Sequence, residues 1–278
     1  MMMPVISIII PCFNQGNYLD DALQSVSKYE DKSIYEIIIV NDGSTDSTTI
    51  SILRQLSAKG YTIIDQANKG LGAARNAGIK AASGKYILPL DSDNKIKPEY
   101  ISEGIKLLNN DSTLDVVYGN AEYFGEKFGI WESGEFNLQR LMIENYIDAC
   151  AVMRKSTWEK VRGYDENMPV MGYEDWDLWL RIAFQNGKFQ YVNKILFDYR
   201  YTAKSMINSI EDGKFKEIME YMEKKHNSYL NRAYLNRLIS FKTSRKKGLA
   251  FNLFMKSYFP ALTNLLYKAG VIKKKDIL

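Results

Sequence analysis

The sequence predicts an α/β fold, a mainly parallel central sheet covered by helices, with a helical C-terminal extension. Three observations carry that expectation. Aliphatic and β-branched runs alternate with helical patterns through the first 120 residues, the links between them are short, and from residue 210 the sequence turns helical and basic. Repeated strand–helix–strand units with short connections fold as a parallel sheet under a layer of helices. A chain of 278 residues suits one large domain with an appendage. The expected division is an α/β domain at residues 1–210 and a basic helical extension at 211–278.

Val5-Ile6-Ser7-Ile8-Ile9-Ile10, closed by Pro11, has the near-continuous apolar character of a strand buried on both faces. Asn17 is placed to cap a helix in which Leu19, Ala22, Leu23 and Val26 share one face. Residues 36–40 form a second strand, ended by Asn41-Asp42-Gly43-Ser44. Ile50, Leu53 and Leu56 mark the next helix, which Gly60 stops. A third strand covers residues 61–64, and residues 71–82, rich in small side chains, form a helix stopped near Gly84. A fourth strand at 85–90 runs into Asp91-Ser92-Asp93. Pro98 opens a helix through Leu108, and residues 115–118 form another strand. Beyond residue 120 the pattern predicts strands at 147–153 and 191–199, a short helix at 156–161, and a stronger helix at 173–186 ended by Gly187.

Composition removes several function classes. Hydrophobic residues at 46% and charged residues at 25% exclude disordered and fibrous chains. Cys12 and Cys150 are the only cysteines. They cannot build a disulfide framework or a cysteine zinc site, and they read as packing residues. The single histidine, His226, excludes mechanisms that need two and reads as a surface helix residue. No apolar run approaches the roughly 18 residues of a membrane span, and no basic segment precedes the first apolar run. The expected location is cytoplasmic.

The net charge of +4 hides an asymmetry. From Lys224 onward, 13 Lys and Arg face one acid, Asp276, while the rest of the chain holds 24 bases and 32 acids. Arg245-Lys246-Lys247 and Lys273-Lys274-Lys275 flank aliphatic and aromatic clusters that include Phe251, Phe254 and Tyr258. Such a segment suits the headgroup region of an anionic membrane, so peripheral contact with the inner membrane face is expected. A helical tail packed on the α/β domain explains the same residues. No motif points to nucleic acid.

Chemistry concentrates at the strand ends, where parallel sheets bind ligands. Asp91 and Asp93, one residue apart after a buried strand, offer hard oxygens to Mg²⁺ or Mn²⁺. Asp42, at the tip of the second strand, is placed to accept hydrogen bonds from a base or ribose. Glu174-Asp175-Trp176 opens a helix beside Tyr173 and Trp179. Acids at a helix start are accounted for by the helix dipole. A carboxylate among aromatics is equally the arrangement that grips a sugar and takes a proton from its hydroxyl. No glycine-rich dinucleotide or phosphate loop follows any predicted strand, which disfavours dinucleotide and P-loop classes.

These elements, in order, resemble a family 2 glycosyltransferase. The resemblance rests on Val5 to Asn14 through Pro11-Cys12-Phe13, on Asn41-Asp42-Gly43-Ser44-Thr45-Asp46, and on Asn68-Lys69-Gly70 with Ala74-Arg75-Asn76. It continues through Leu90-Asp91-Ser92-Asp93, Gly163-Tyr164-Asp165-Glu166 and Glu174-Asp175-Trp176-Asp177-Leu178. It implies the GT-A fold, a nucleotide-diphosphate sugar donor, a glycan or lipid-linked acceptor, and inversion of the anomeric centre. It further implies that Pro11, Asn14, Asp42, Asn68 and Arg75 bind the nucleotide. Asp91 would take the ribose or a metal-bound water, and Asp93 the metal. Asp175 would be the general base with Glu174 beside it, and Trp176 and Tyr173 would shape the acceptor and sugar sites.

One departure stands out. Family members often carry a metal-binding histidine in a Tyr-Arg-x-His segment, and here Thr202 stands in its place after Tyr199-Arg200-Tyr201. A weakly held metal follows, with Arg200 or Lys204 as alternative partners of the diphosphate. Two other classes compete: a nucleotidyltransferase-like enzyme, which lacks its expected glycine-rich loop here, and a silent nucleotide- or glycan-binding module, against which the retained acids argue. The stretch from residue 118 to 148 is expected to set the acceptor.

Overall fold

The structure, a computed structural model, describes residues 3–142, 144–202, 212–227 and 229. The chain divides into two compact units, one of residues 1–167 and 171–209 and one of residues 168–170 and 210–278.

The first unit is built on a nine-stranded sheet. β1 (Ile6–Cys12) is buried at all seven positions, as its uninterrupted apolar run requires. It pairs in parallel with β2 (Tyr35–Asp42) on one side and β4 (Tyr86–Pro89) on the other. β3 (Thr62–Gln66) continues the parallel set beside β2. The strand order therefore reverses at β1, which opens a crevice beyond its carboxyl end. α1 (Gly16–Ser27), α2 (Ser47–Ala58) and α3 (Leu71–Ala81) are the crossovers. Asp46 caps α2 by accepting from the Thr49 amide at 2.8 Å. Asn17 caps nothing: α1 starts one residue earlier, at Gly16, with no side-chain cap.

The second half of the sheet is mixed. β5 (Lys95–Ile96) precedes α4 (Pro98–Asn110), which leads into β6 (Leu114–Gly125) and a short antiparallel partner, β7 (Gly129–Trp131). After α5 (Leu138–Leu141), β8 (Val152–Arg154) bridges β4 and β6 by antiparallel pairing. α6 (Lys155–Lys160) and α7 (Glu174–Phe184) lead to β9 (Lys188–Tyr201), which runs parallel to β6 and antiparallel to β5.

Two expectations need correction here. The predicted strand at 147–153 is mostly loop, and only Val152–Arg154 pairs. Its apolar residues are buried without a ladder because neighbouring side chains, described below, take its carbonyls. β6 also runs seven residues past the predicted end at Tyr118, across bulges at Gly119 and Asn120 that hide its alternation.

In the second unit the described helix is α8 (Asp212–Lys225), which buries Ile218, Met219 and Met222. His226, read above as a surface residue, is buried at 5% exposure just past that helix. The basic triplets at 245–247 and 273–275, and Lys204, lie outside the described residues.

Candidate active site

A cleft of about 480 Å³ opens at the carboxyl ends of β1, β2 and β4. The strands deliver Pro11, Cys12 and Asp42, the turn after β4 delivers Asp91, Ser92 and Asp93, and the loop before α3 delivers Asn68 and Gly70. Glu174 and Asp175 enter from the start of α7, and Tyr199, Arg200 and Thr202 from the end of β9 and just beyond.

Asp42 holds the loop that precedes α3. One of its oxygens accepts from Gln66 Nε2 at 2.7 Å and the Lys69 amide at 2.9 Å, and the other from the Gly70 amide at 2.9 Å. Gly43, at φ 71, brings β2 so close that a Cβ there would sit 2.5 Å from the Asn68 nitrogen.

Arg75 is the pivot of the cleft floor. Its side chain is 2% exposed, donates to Asp91 Oδ1 at 2.6 Å and to Glu174 Oε1 at 2.9 Å, and lies against the Tyr164 ring. The charge on Asp91, followed by the Tyr164, Glu174 and Asp175 side chains, holds the guanidinium protonated against the opposing effect of burial. Glu174 Oε2 accepts from the Gly172 amide at 2.7 Å, so both oxygens of this buried carboxylate are engaged.

The remaining acids are crowded. Burial and then the Asp91 charge push the Asp93 carboxyl up to about 6, with Arg200 opposing. Asp148 and Asp175 are likewise raised, each chiefly by burial, then by Asp91 and by Glu174 respectively. The Arg200 guanidinium lies between the Tyr18 and Phe124 rings, donates to the Asp93 carbonyl at 3.0 Å, and pairs with Asp21 at 2.7 Å.

Of the residues singled out in the sequence, Pro11, Asp42, Asn68, Arg75, Asp91, Asp93, Glu174 and Asp175 line this one cleft. Three do not. Asn14, at φ 54, turns its side chain to the loop after β2, accepting from the Thr45 and Asp46 amides and donating to Thr45 Oγ1. Trp176 is a core residue at 2% exposure whose indole donates to the Leu141 carbonyl. Tyr173 packs on Trp176, with ring centroids 5.8 Å apart, and is not part of the cleft wall. Asp148 and Tyr199 also line the cleft, though the sequence assigned neither a role of its own. Cys12 also lines it, and burial raises its thiol to about 11, which keeps it a packing group.

Among the described residues no group of three or more His, Cys, Asp and Glu side chains is arranged to hold a metal ion. Asp91 and Asp93 both line the cleft, with one oxygen of Asp91 taken by Arg75. Thr202 adds a hydroxyl to the wall, where the resemblance expects an imidazole.

Residues 7–169 match the family model for glycosyl transferase family 2. The chain belongs to that family. Residues 131–258 match a second model, glycosyltransferase like family 2. A glycosyltransferase of Rickettsia prowazekii (strain Madrid E) is 30% identical over 280 residues, covering 93% of this chain and 84% of that protein. A chondroitin synthase of Pasteurella multocida (strain Pm70) is 28% identical over 201 residues, 70% of this chain but only 20% of the synthase. The crystal structure of S. aureus TarS 1–349 in complex with UDP-GlcNAc superimposes with a TM-score of 0.69 at 19% identity, covering 99% of this chain and 83% of that one. The architecture of this family 2 glycosyltransferase is thus the GT-A α/β fold. Among the described residues no helix is long and apolar enough to cross a membrane.

Proposed function

We propose that this family 2 glycosyltransferase moves a hexosyl or N-acetylhexosaminyl group from a nucleotide-diphosphate sugar to a hydroxyl of a glycan or lipid-linked acceptor, with inversion, in the assembly of a surface polysaccharide or glycoconjugate. One observation carries the reading. The Asp91 and Asp93 pair and the Asp175 carboxylate open on the same cleft, with buried Arg75 bridging Asp91 to the helix that bears Asp175.

Inversion needs the base and the leaving group on opposite faces of the anomeric carbon. The acceptor oxygen bonds to that carbon as its proton passes to Asp175, and the bond to the diphosphate oxygen breaks with its electron pair. Pro11, Asp42 and Asn68 form the nucleoside end. Glu174, with both oxygens engaged, positions Arg75 instead of reacting. Asp93 and Asp91 would hold Mg²⁺ or Mn²⁺ against the diphosphate, and the cation, when bound, offsets the charge that grows on the leaving group. Arg200 stands on the same wall as a fixed positive charge. The residues' main contribution is alignment of the two substrates.

The donor screen starts from UDP-GlcNAc, because TarS is seen with it. Thermal shift against a panel of nucleotide sugars, with and without Mn²⁺, should show ligand-dependent stabilisation. Release of nucleoside diphosphate should then be seen with the same donor. Asp93→Ala should keep the fold and lose on the order of a thousandfold in rate. Wild-type turnover by that variant at saturating Mg²⁺ or Mn²⁺ would overturn the metal assignment.

A further inference from the structure

The two oxygens of Asp175 have different surroundings. Oδ1 accepts from the Trp176 amide at 2.8 Å and from Asn145 Nδ2 at 3.1 Å. The loop that carries Asn145 is tied to the helix that carries Asp175. Trp176 donates its indole N–H to the Leu141 carbonyl, and Trp179 donates to the Ile147 carbonyl at 3.0 Å. From α4, the Tyr100 hydroxyl donates to the Cys150 carbonyl at 2.6 Å. Three buried aromatic donors therefore hold the carbonyls of Leu141, Ile147 and Cys150 on either side of Asn145, whose amide meets the carboxylate. The same side chain leaves Oδ1 buried with no hydrogen-bond partner. An unmet buried acceptor costs about 1–3 kcal/mol. Packing alone gives no reason to keep an amide there.

We propose that Asn145 is a positioning residue for the transfer step: its amide holds Asp175 Oδ1, so that Oδ2 is the oxygen presented to the acceptor hydroxyl. The inference rests on Asp175 as the base. It assigns a task to one residue of the stretch that the sequence associated only broadly with the acceptor. It also explains why the two tryptophans of α7 face inward, since they anchor the loop that steadies the neighbouring acid.

The pH profile distinguishes positioning from packing. Asp175 is faced by Glu174 on its own helix and Tyr173 just before it, Arg75 on α3, Asn145 and Asp148 on the loop before β8, Tyr164 on the loop after α6, and Tyr199 on β9. Burial, Glu174 and Asp148 raise its carboxyl, whereas Arg75 and Asn145 lower it. Removing the amide therefore moves the acid limb of the rate profile to higher pH.

The experiment follows nucleoside-diphosphate release by the full chain, with the nucleotide sugar that the wild type turns over, across a pH series. Asn145→Ala should shift the acid limb upward by about half a unit or more and lower the plateau roughly tenfold, with donor affinity within about twofold. Asn145→Asp keeps the size of the side chain and adds a like charge, so it should shift the limb further. A packing role predicts the reverse order, with the isosteric variant close to wild type. Asp175→Asn, run alongside, separates the two failures. If Asp175→Asn abolishes transfer while neither Asn145 variant moves the limb, the positioning role is overturned and the base stands. If Asp175→Asn retains transfer, the base assignment falls and the positioning role falls with it.

Discussion

Arg75, Asp91, Glu174 and Asp175 show how single residues set the character of the cleft. A buried guanidinium is tolerated because two carboxylates meet it directly. Asp175 has no such direct partner, so its ionisation at neutral pH works against the fold. Burial and the Glu174 charge raise its carboxyl above the unfolded value. A raised acid favours folding most below the unfolded-state pKa, and that contribution is lost as pH climbs through the higher folded-state value. Asp175→Asn removes the charge while its amide oxygen can keep both hydrogen bonds to Oδ1. The unliganded variant should therefore melt above wild type at about pH 9, by roughly 2–4 °C per kcal/mol relieved, and the gap should close toward about pH 4.5. Differential scanning calorimetry at the two pH values checks this. An equal offset at both would mean that the gain is not electrostatic. A substitution that stabilises the fold and abolishes transfer is the expected mark of an acid retained for chemistry.

At the scale of elements, α3 shows how close packing brings Arg75 into place. Its small face lets the helix lie against β1 and β2. A Cβ on Gly78 would stand 2.4 Å from Ile9 Cγ2 and 3.0 Å from Val40 Cγ2. Helix propensity favours alanine there by about 1 kcal/mol. Overpacking two stiff β-branched side chains costs about 1–3 kcal/mol, and it wins because Ile9 and Val40 are fully buried with nowhere to turn. Gly78→Ala should lower stability by about 1 kcal/mol or more in chemical denaturation, and a more stable variant would refute the packing argument. The strands and crossovers were legible because burial and helical phase leave periodic traces, as in β1 and in residues 71–82. The place of Asp42, Asp91 and Asp93 at the cleft was legible because Asp42 ends one such strand and Asp91 and Asp93 follow another. Trp176 was misread because an aromatic beside an acid looks the same in sequence whether it faces a sugar or donates its indole to a loop carbonyl. Asn145 and Asp148 fell within the stretch expected to set the acceptor but had no individual signal, because residues 147–153 read as a strand and no local pattern records that distant aromatic donors hold the loop around them. Arg75 and Glu174 meet across 99 residues, a pairing without local trace.

For the whole molecule, charge divides along the chain, with 13 bases and one acid from Lys224 onward against 24 bases and 32 acids before it. The basic tail can meet the acidic body or a separate anionic surface, and its basic triplets beside aromatic clusters suit the latter. We propose a membrane bearing anionic lipid, consistent with a lipid-linked acceptor. Each Lys or Arg near such a surface contributes about 1 kcal/mol, and Phe251, Phe254 and Tyr258 can add apolar insertion. The full chain should sediment with vesicles containing phosphatidylserine at low salt and leave them as salt is raised, because the attraction decays over a Debye length of about 10 Å at 0.1 M. Vesicles of phosphatidylcholine alone should capture far less. Replacing Arg245-Lys246-Lys247 and Lys273-Lys274-Lys275 with serines removes six charges and should weaken sedimentation by at least tenfold, with donor-dependent thermal stabilisation unchanged. If the wild type stays in the supernatant with anionic vesicles at low salt, the tail serves the protein itself and not a membrane.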